Sequence, residues 1–412
     1  MVKLAKNKTV SKNTIKQAVI LCGGIGSRLG DITKKTPKPL IKLNNKPFLD
    51  YLIYRLSRFR IAKILLLCGY KSERFFKKYH NLKINNYTKI TCFKEKKPYG
   101  TGGALINAKN KLENIFYLLN GDTYFDVDLF HLAEKFNKKK FDAVLCFKNL
   151  INKRYGSIKI KKSKVQEFSN ISSQKKSNVN MGTYIFKKKI FNKLKIENIS
   201  LESRILPLLA QKGKIQSINF QSNFFLDIGI KSDLFKAKSI LPKIKYPAVF
   251  LDRDGVINKD MGYVHTKKNF IFTKNILKTI KFFNRKNYFV FIVTNQSGIG
   301  RGYYSINDLN KLHKWMLTEF KNNFAQIDDI FFSPYFKNSK KFSSAYLKNL
   351  RKPNIGMFKL AKKKWPIDDN KLVMIGDKHI DLQFGNKIKA KTIIVNENLD
   401  IFRQVKKYLK IK

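Results

Sequence analysis

Two doubly wound α/β domains in tandem are predicted by three observations. The chain has 412 residues, and single hydrophobic cores stop growing at roughly 250–300. Apolar strand-like runs alternate with amphipathic segments of helical period, the pattern of a mostly parallel sheet covered by helices. That alternation breaks at LPKIKYP (241–247), where two prolines and two lysines predict a linker, and then restarts.

The elements follow in order. Residues 1–15 are polar and predict a flexible arm. The first domain, 16–240, opens with QAVILCGG as a buried strand. PFLDYLIYRLSRF then reads as a helix, AKILLLCGY as a strand and KSERFFKKYH as a helix. TCFKEK is a strand, GTGGALINAKNKL a helix, FYLLNGDTYF a strand, DLFHLAEKFNKK a helix and DAVLCFKN a strand. From 155 to 230 the pattern is richer in strands. The second domain, 248–397, repeats the logic with five strands: AVFLD, YFVFIVT, DDIFFSP, KLVMIGD and TIIV. Helices are expected near 275–286, 305–323 and 355–365. The second of these starts SIND, with Ser305 as N-cap and Asp308 at N3. Residues 398–412 predict a basic tail.

The composition excludes several classes. Basic residues number 85 against 28 acidic ones, a formal charge of +57. Residues 1–240 hold 50 and 15 of these, and residues 241–412 hold 35 and 13, so the excess is even along the chain. Twelve of the 85 are arginine. Such a spread reads as a chain-wide lysine bias, not as a nucleic-acid-binding face. No run of eighteen apolar residues predicts a membrane span, and the N-terminus lacks a signal-like apolar stretch. Cys22, Cys68, Cys92 and Cys146 show no metal spacing and suit a reducing cytoplasm. The expected partners are small molecules, with neither nucleic acid nor membrane.

The first group of chemical residues follows the opening strand. Gly23, Gly24 and Gly26 let backbone approach an anion, and Arg28 adds a bidentate donor. The run lacks the third glycine of a dinucleotide fingerprint and any Walker lysine. In KTPKPL, Pro37 and Pro39 stiffen the loop around Lys38, a point charge for phosphate. YGTGGA is a second glycine loop opening a helix. Asp122, in NGD, ends a strand where open α/β sheets bind ligands. Asp227, in LDIG, is a second carboxylate. Two carboxylates plus phosphate oxygens make a normal Mg²⁺ site.

The second group is AVFLDRDGVIN. In extended backbone, residues i and i+2 share a face, so Asp252 and Asp254 would meet at one site. One can attack phosphorus while the other protonates the leaving oxygen and later activates water. TNQS (294–297) offers a hydroxyl and amides for phosphoryl oxygens, and RKP (351–353) offers two cations. GDKHID (376–381) supplies a further carboxylate for Mg²⁺.

In combination, the glycine loop with Arg28, PKPL, GTGGA, NGD and DIG resemble the sugar-1-phosphate nucleotidyltransferases over residues 16–240. NGDTYFDVDL, YGSI and FLDIGI resemble the heptose-1-phosphate guanylyltransferases within them. Mannose-1-phosphate guanylyltransferases and glucose-1-phosphate thymidylyltransferases stand nearby. DRDGVIN, TNQSGIGRG, RKPxxGM and GDKxxD resemble the haloacid-dehalogenase phosphatases, specifically the heptose-bisphosphate and histidinol-phosphate branch. The resemblance implies a nucleotide-diphospho-sugar transferase (Rossmann-like) fold followed by a haloacid-dehalogenase Rossmannoid fold.

For the first domain it implies Arg28 and Lys38 at the triphosphate, and Asp122 and Asp227 on Mg²⁺. Gly102, Gly103 and Glu167 would lie around nucleotide or sugar, and Asn180 would contact sugar. Glu167 reads equally as a surface carboxylate, and Asn180 as part of a core strand. For the second domain it implies Asp252 as nucleophile, Asp254 as acid/base, Thr294 on phosphate and Lys352 on the transferring group. Mg²⁺ would sit on Asp252, Asp377 and the Asp254 carbonyl. Asn295, Gln296, Arg351 and Lys378 would contact substrate. The branch usually carries a Cys/His zinc loop before RKP, and SPYFKNSKKFSSAYLKN has neither residue, so no zinc is expected.

The expected function is hydrolysis of the C7 phosphate of D-glycero-D-manno-heptose 1,7-bisphosphate, then nucleotidyl transfer to heptose 1-phosphate, with GTP as donor. A hexose-1-phosphate nucleotidyltransferase fused to a histidinol-type phosphatase is the alternative. A basic nucleic-acid-binding protein with degenerate enzyme folds is a second.

Overall fold

The computed structural model describes residues 15–84, 87–151, 155–169 and 176–410. The chain divides into two compact units between Lys243 and Ile244. Of the expected N-terminal arm, residues 1–14 lie outside the described residues.

The first unit contains β1 (Gln17–Leu21), β2 (Lys42–Leu43), β3 (Lys46–Pro47), β4 (Lys63–Cys68), β5 (Lys83–Ile84), β6 (Thr88–Lys94) and β7 (Ile115–Asn120). It continues with β8 (Thr123–Phe125), β9 (Ala143–Ile151), β10 (Ser157–Lys161), β11 (Lys164–Ser169), β12 (Lys176–Lys187), β13 (Ile215–Asn219) and β14 (Phe225–Asp227). Ten of these strands form one sheet, ordered β10-β11-β13-β9-β12-β7-β1-β4-β6-β5. The block β6-β4-β1-β7 is parallel throughout. Beyond β7 the sheet turns mixed, since β12 runs antiparallel to both β7 and β9. Parallel strands covered on both faces must be apolar along their whole length, and Ala18, Val19 and Ile20 are fully buried. The helix Phe48–Arg58 packs through Phe48, Leu49, Leu52, Ile53 and Leu56, the spacing of one helical face.

The second unit contains β15 (Tyr246–Leu251), β16 (Phe289–Asn295), β17 (Asp329–Ser333), β18 (Ile367–Gly376) and β19 (Lys391–Ile394). All pair in parallel, in the order β17-β16-β15-β18-β19. The helix Ile306–Asn322 begins with a capping box in which Ser305 and Asp308 satisfy each other's backbone N–H groups.

Two boundaries differ from the sequence reading. The expected linker is largely absorbed: Leu241–Lys243 form a helical turn, and Tyr246 already pairs with Ile367. Pro247 is tolerated in a central strand because the register shifts between Tyr246 and Ala248, sparing the N–H that proline lacks. The expected basic tail is instead a helix, Ile401–Tyr408, capped by the Asp400 side chain. Its Ile401 and Val405 are fully buried in the core of the unit. Their i,i+4 spacing was outweighed in the sequence by four nearby lysines, of which Lys406 and Lys407 sit in the last turn, where the helix dipole favours cations. Residues 411–412 lie outside the described residues. Among the described residues, no helix is long and apolar enough to cross a membrane.

If this helix belongs to the core, Ile401→Ala will cost about 2–5 kcal/mol. Urea unfolding followed by circular dichroism will read this as a lower midpoint for the C-terminal unit. A solvated tail would give a change within about 0.5 kcal/mol.

Candidate active sites

In the first unit the chain runs outward from β1 to β4 and β6, then returns to place β7 on the other side of β1. The crevice at such a reversal is where open α/β sheets take ligands. Cys22-Gly23-Gly24 leaves β1 there, and Gly121-Asp122 leaves β7. Gly121 donates its N–H to the Leu21 carbonyl at 2.9 Å, and a Cβ at Gly121 would collide with that same oxygen. Glycine therefore lets the two strand ends touch and sets Asp122 over the crevice.

The cavity above them measures about 730 Å³ and is lined by Gly23, Gly24, Lys38, Tyr70, Glu95 and Asp122, with Gly100 and Thr101 from the start of the helix Gly100–Asn107. Such a volume accommodates a nucleotide-sized ligand. Lys38 sits in the helical turn Lys38–Leu40 after Pro37, and its Nζ lies 2.8 Å from Asp122 Oδ2. The pairing of β14 with β8 sets Asp227 opposite Thr123. The Thr123 hydroxyl is 3.3 Å from both Asp122 Oδ1 and Asp227 Oδ2, so the two expected metal ligands flank one residue.

Other expected residues fall elsewhere. Arg28 is exposed on the turn beside Ser27, which lines the cavity, while Arg28 does not. Gly102 and Gly103 lie outside the cavity lining and pack against a later segment. Their N–H groups donate to the Ile199 carbonyl at 2.9 and 3.1 Å, and Cβ atoms there would collide with Ile205 and with the Glu197 carbonyl. Glu167 is exposed on β11 across from Lys159, outside the cavity lining, because β10 and β11 form the edge of the sheet. Asn180 also stays off the lining. Its Nδ2 donates to the Tyr184 hydroxyl at 2.6 Å, and its Oδ1 accepts from Gly182 N. Gly182, at φ +65°, is the residue that abuts Asn120 of the cavity wall.

The second unit repeats the topology: β15, β16 and β17 step outward, and β18 returns beside β15. Asp252 leaves β15, and Asp377 leaves β18. A cavity of about 320 Å³ at these ends is lined by Asp252, Asp254, Thr294, Asn295, Gln296, Arg351, Lys352 and Lys378, so eight residues expected from the sequence meet in one place. Lys352 is buried, with its Nζ 2.8 Å from Asp252 and 2.6 Å from Asp381. Burial opposes its charge, but Asp252 and Asp381 outweigh that and raise its pKa. Asn295 fixes the backbone at Lys352, accepting its N–H at 2.9 Å and donating to its carbonyl at 3.1 Å. Carboxylate oxygens of Asp252, Asp377 and Asp381 lie within 4.8 Å of one another. Burial pushes Asp252 up to about 7 and Asp377 to about 6, with Asp381 adding to both.

Asp381, within the GDKxxD motif but given no role of its own from the sequence, is fully buried, pairs with Lys352 and accepts from Lys378 N at 3.2 Å. Sequence reasoning missed other contributors. Glu95, at the end of β6, had no motif to mark it. Its carboxylate lies against Gly23, and burial raises its pKa. The segment in place of a Cys/His loop closes on itself: Phe336 N donates to the Phe342 carbonyl at 3.1 Å. Phe342 packs against Ile299, Tyr304 and Leu309, and the Arg301 guanidinium lies 4.0 Å from the Phe336 ring centroid. Aromatic packing thereby anchors the stretch that leads to Arg351 and Lys352.

A family model described as nucleotidyl transferase matches residues 17–243. Another, described as HAD-hydrolase-like, matches residues 349–400. The chain is 35% identical over 220 residues to D-glycero-alpha-D-manno-heptose 1-phosphate guanylyltransferase of Campylobacter jejuni, covering 53% of this chain and 97% of that protein. It is 40% identical over 167 residues to D-glycero-alpha-D-manno-heptose-1,7-bisphosphate 7-phosphatase of the same bacterium, covering 40% of this chain and 92% of that protein. The crystal structure of HddC from Yersinia pseudotuberculosis aligns with a TM-score of 0.50 at 30% identity, covering 55% of this chain and 100% of that one. The chain belongs to the nucleotidyl transferase family through its first unit and to the haloacid-dehalogenase-like hydrolases through its second.

Proposed function

We propose that this chain carries two consecutive steps of activated-heptose synthesis. The C-terminal site removes the C7 phosphate of D-glycero-D-manno-heptose 1,7-bisphosphate. The N-terminal site transfers a nucleotidyl group, from GTP, to the resulting heptose 1-phosphate and releases pyrophosphate. The observation that carries this reading is the tandem itself: two crevice sites in one chain, each in a unit similar to a protein named for one of the two steps. A cytoplasmic location suits the nucleoside triphosphate that the second step consumes.

In the phosphatase, Asp252 Oδ attacks phosphorus while Lys352 offsets the charge gathered on the nucleophile. Asp254 gives a proton to the departing sugar oxygen and takes one back from the water that cleaves the aspartyl-phosphate. Thr294 and the Asn295 amide hold phosphoryl oxygens, and Arg351 and Lys378 meet the anionic substrate at the mouth. In the transferase, an oxygen of heptose 1-phosphate attacks the α-phosphorus in line. The backbone at Gly23 and Gly24 and the Lys38 ammonium hold the triphosphate, and chemistry of this kind rests on positioning and charge neutralisation.

Both sites fit Mg²⁺. In the phosphatase, Asp377 Oδ1 is buried without a hydrogen-bond partner, beside the carboxylate of Asp252. Asp252, Asp377 and the Asp254 carbonyl would hold the ion there, and Asp122 and Asp227 would hold it in the transferase. When bound, it supplies positive charge against the phosphate oxygens. Gly255, at φ +86°, leaves the room in which the Asp377 carboxylate lies, and a Cβ would collide with it.

Gly255→Ala will therefore weaken Mg²⁺ binding to the second unit and lower phosphatase kcat by at least about tenfold, each tenfold being 1.4 kcal/mol. Calorimetric titration with Mg²⁺ and phosphate release will read the two effects, and unchanged Mg²⁺ affinity would contradict the assignment. Asp252→Asn will reduce phosphate release by about 10³-fold or more and leave pyrophosphate release from heptose 1-phosphate intact, and Asp122→Asn will do the reverse. Loss of both activities from one of these changes in a folded protein would reject two separate sites.

A further inference from the structure

The phosphatase site holds a cation for which the proposed chemistry has no use. Arg253 lies between Asp252 and Asp254 in sequence and is fully buried. Alternation along the chain sends it away from the face those two carboxylates share. Of those two carboxylates its guanidinium bonds Asp254: Nε lies 3.1 Å from Oδ1, and Nη2 lies 2.8 Å from Oδ1 and 2.9 Å from Oδ2. Nη2 also donates to the Val264 carbonyl at 2.6 Å, and Nη1 lies 3.4 Å from His313 Nε2. Burial first, and Arg253 second, hold His313 down to about 3, so the ring is neutral and can accept from Nη1. Such a fork fixes orientation as well as charge.

The two oxygens of Asp254 are thereby made different. Oδ1 takes donors from Arg253 Nε and Nη2 and from Asn258 Nδ2 at 2.9 Å. Oδ1 thus takes three donors, while Oδ2 shares Arg253 Nη2 at 2.9 Å. Oδ2 faces Gln296, whose Nε2 is 2.8 Å away and whose Oε1 is engaged by the Tyr304 hydroxyl at 2.6 Å. Gln296 and Tyr304 both line the cavity, so Oδ2 is the oxygen on the substrate side.

We propose that Arg253 is a positioning residue for the phosphatase, holding the Asp254 carboxylate in its fork so that Oδ2, the oxygen on the cavity side, is the one that exchanges the proton. This rests on the reading of Asp254 as acid/base. In the first half-reaction the bond between phosphorus and the sugar oxygen breaks as the bond to Asp252 forms, and the sugar oxygen takes the Oδ2 proton. In the second, a water oxygen bonds to phosphorus, its proton passes to Oδ2, and the bond to Asp252 breaks to release inorganic phosphate.

Leaving-group dependence tests this. A sugar alkoxide needs the proton to leave, and p-nitrophenolate does not. Full-length Arg253→Met, Arg253→Lys and Asp254→Asn are compared on heptose bisphosphate at steady state and on p-nitrophenyl phosphate in single turnover with enzyme in excess. Positioned acid–base groups contribute roughly 10²–10⁴-fold, so Asp254→Asn should lose about that much on the sugar phosphate and far less in nitrophenolate release. Arg253→Met should share this selectivity at about 10–100-fold in kcat, with KM within about threefold, and Arg253→Lys should fall between it and the parent. Single-turnover release reports an intact site, and Arg253→Lys decides the matter if the Met variant does not fold. Equal losses on both substrates, a change confined to KM, or no loss would overturn the proposal. If Asp254→Asn slows both substrates alike, the acid/base reading itself falls, and the proposal with it.

Discussion

Carboxylates gathered at the carboxyl ends of buried parallel strands repel one another, and that constraint organises both halves of this protein. Two unit charges about 4 Å apart interact with roughly 4 kcal/mol at the effective dielectric of a partly buried site. Asp252, Asp377 and Asp381 are that close. The chain answers with a buried lysine: Lys352 bridges Asp252 and Asp381, held in place by Asn295 through its backbone. The transferase site has the same arrangement in simpler form, with Lys38 against Asp122. The cation is built in, and the negative charge it leaves uncompensated is what a divalent ion would balance.

The two units also share the reason for their location. Each sheet steps outward from its first strand and then returns to the other side, opening a crevice at the reversal. Glycines at the crossing are fixed by contact. Gly121 touches the Leu21 carbonyl in one unit, and Gly255 makes room for Asp377 in the other. Topology sets where the carboxylates go, and glycine sets how closely they can approach.

The parts of this design visible in the sequence were those that needed a fixed residue at a fixed spacing. Asp252 and Asp254 were legible because residues i and i+2 of an extended segment share a face, and Lys352 and the strand-end Asp377 because they stand in short motifs that resemble a known family. The five strands of the second sheet were legible because each contains a short apolar run. What depended on distant packing was not. Gly102 and Gly103 read as a glycine loop around nucleotide or sugar, yet their backbone N–H groups bond Ile199, nearly a hundred residues later in the chain. Glu167, which reads equally as a substrate contact or a surface carboxylate, lies exposed where the sheet edge carries it outward. The C-terminal helix was hidden among lysines because only two of its side chains, Ile401 and Val405, are buried.

The large positive charge contributes little to this specificity, since it is even along the chain; a positive background can still speed capture of anionic substrates. Joining consecutive enzymes in one chain raises the local concentration of the shared intermediate. The most direct measurement supplies the intact protein with D-glycero-D-manno-heptose 1,7-bisphosphate, Mg²⁺ and GTP, and follows phosphate, pyrophosphate and nucleotide-sugar together. The account predicts phosphate release first, then pyrophosphate and GDP-heptose in equal amounts. Phosphate release with no nucleotide-sugar formed from GTP or any other nucleoside triphosphate would contradict it.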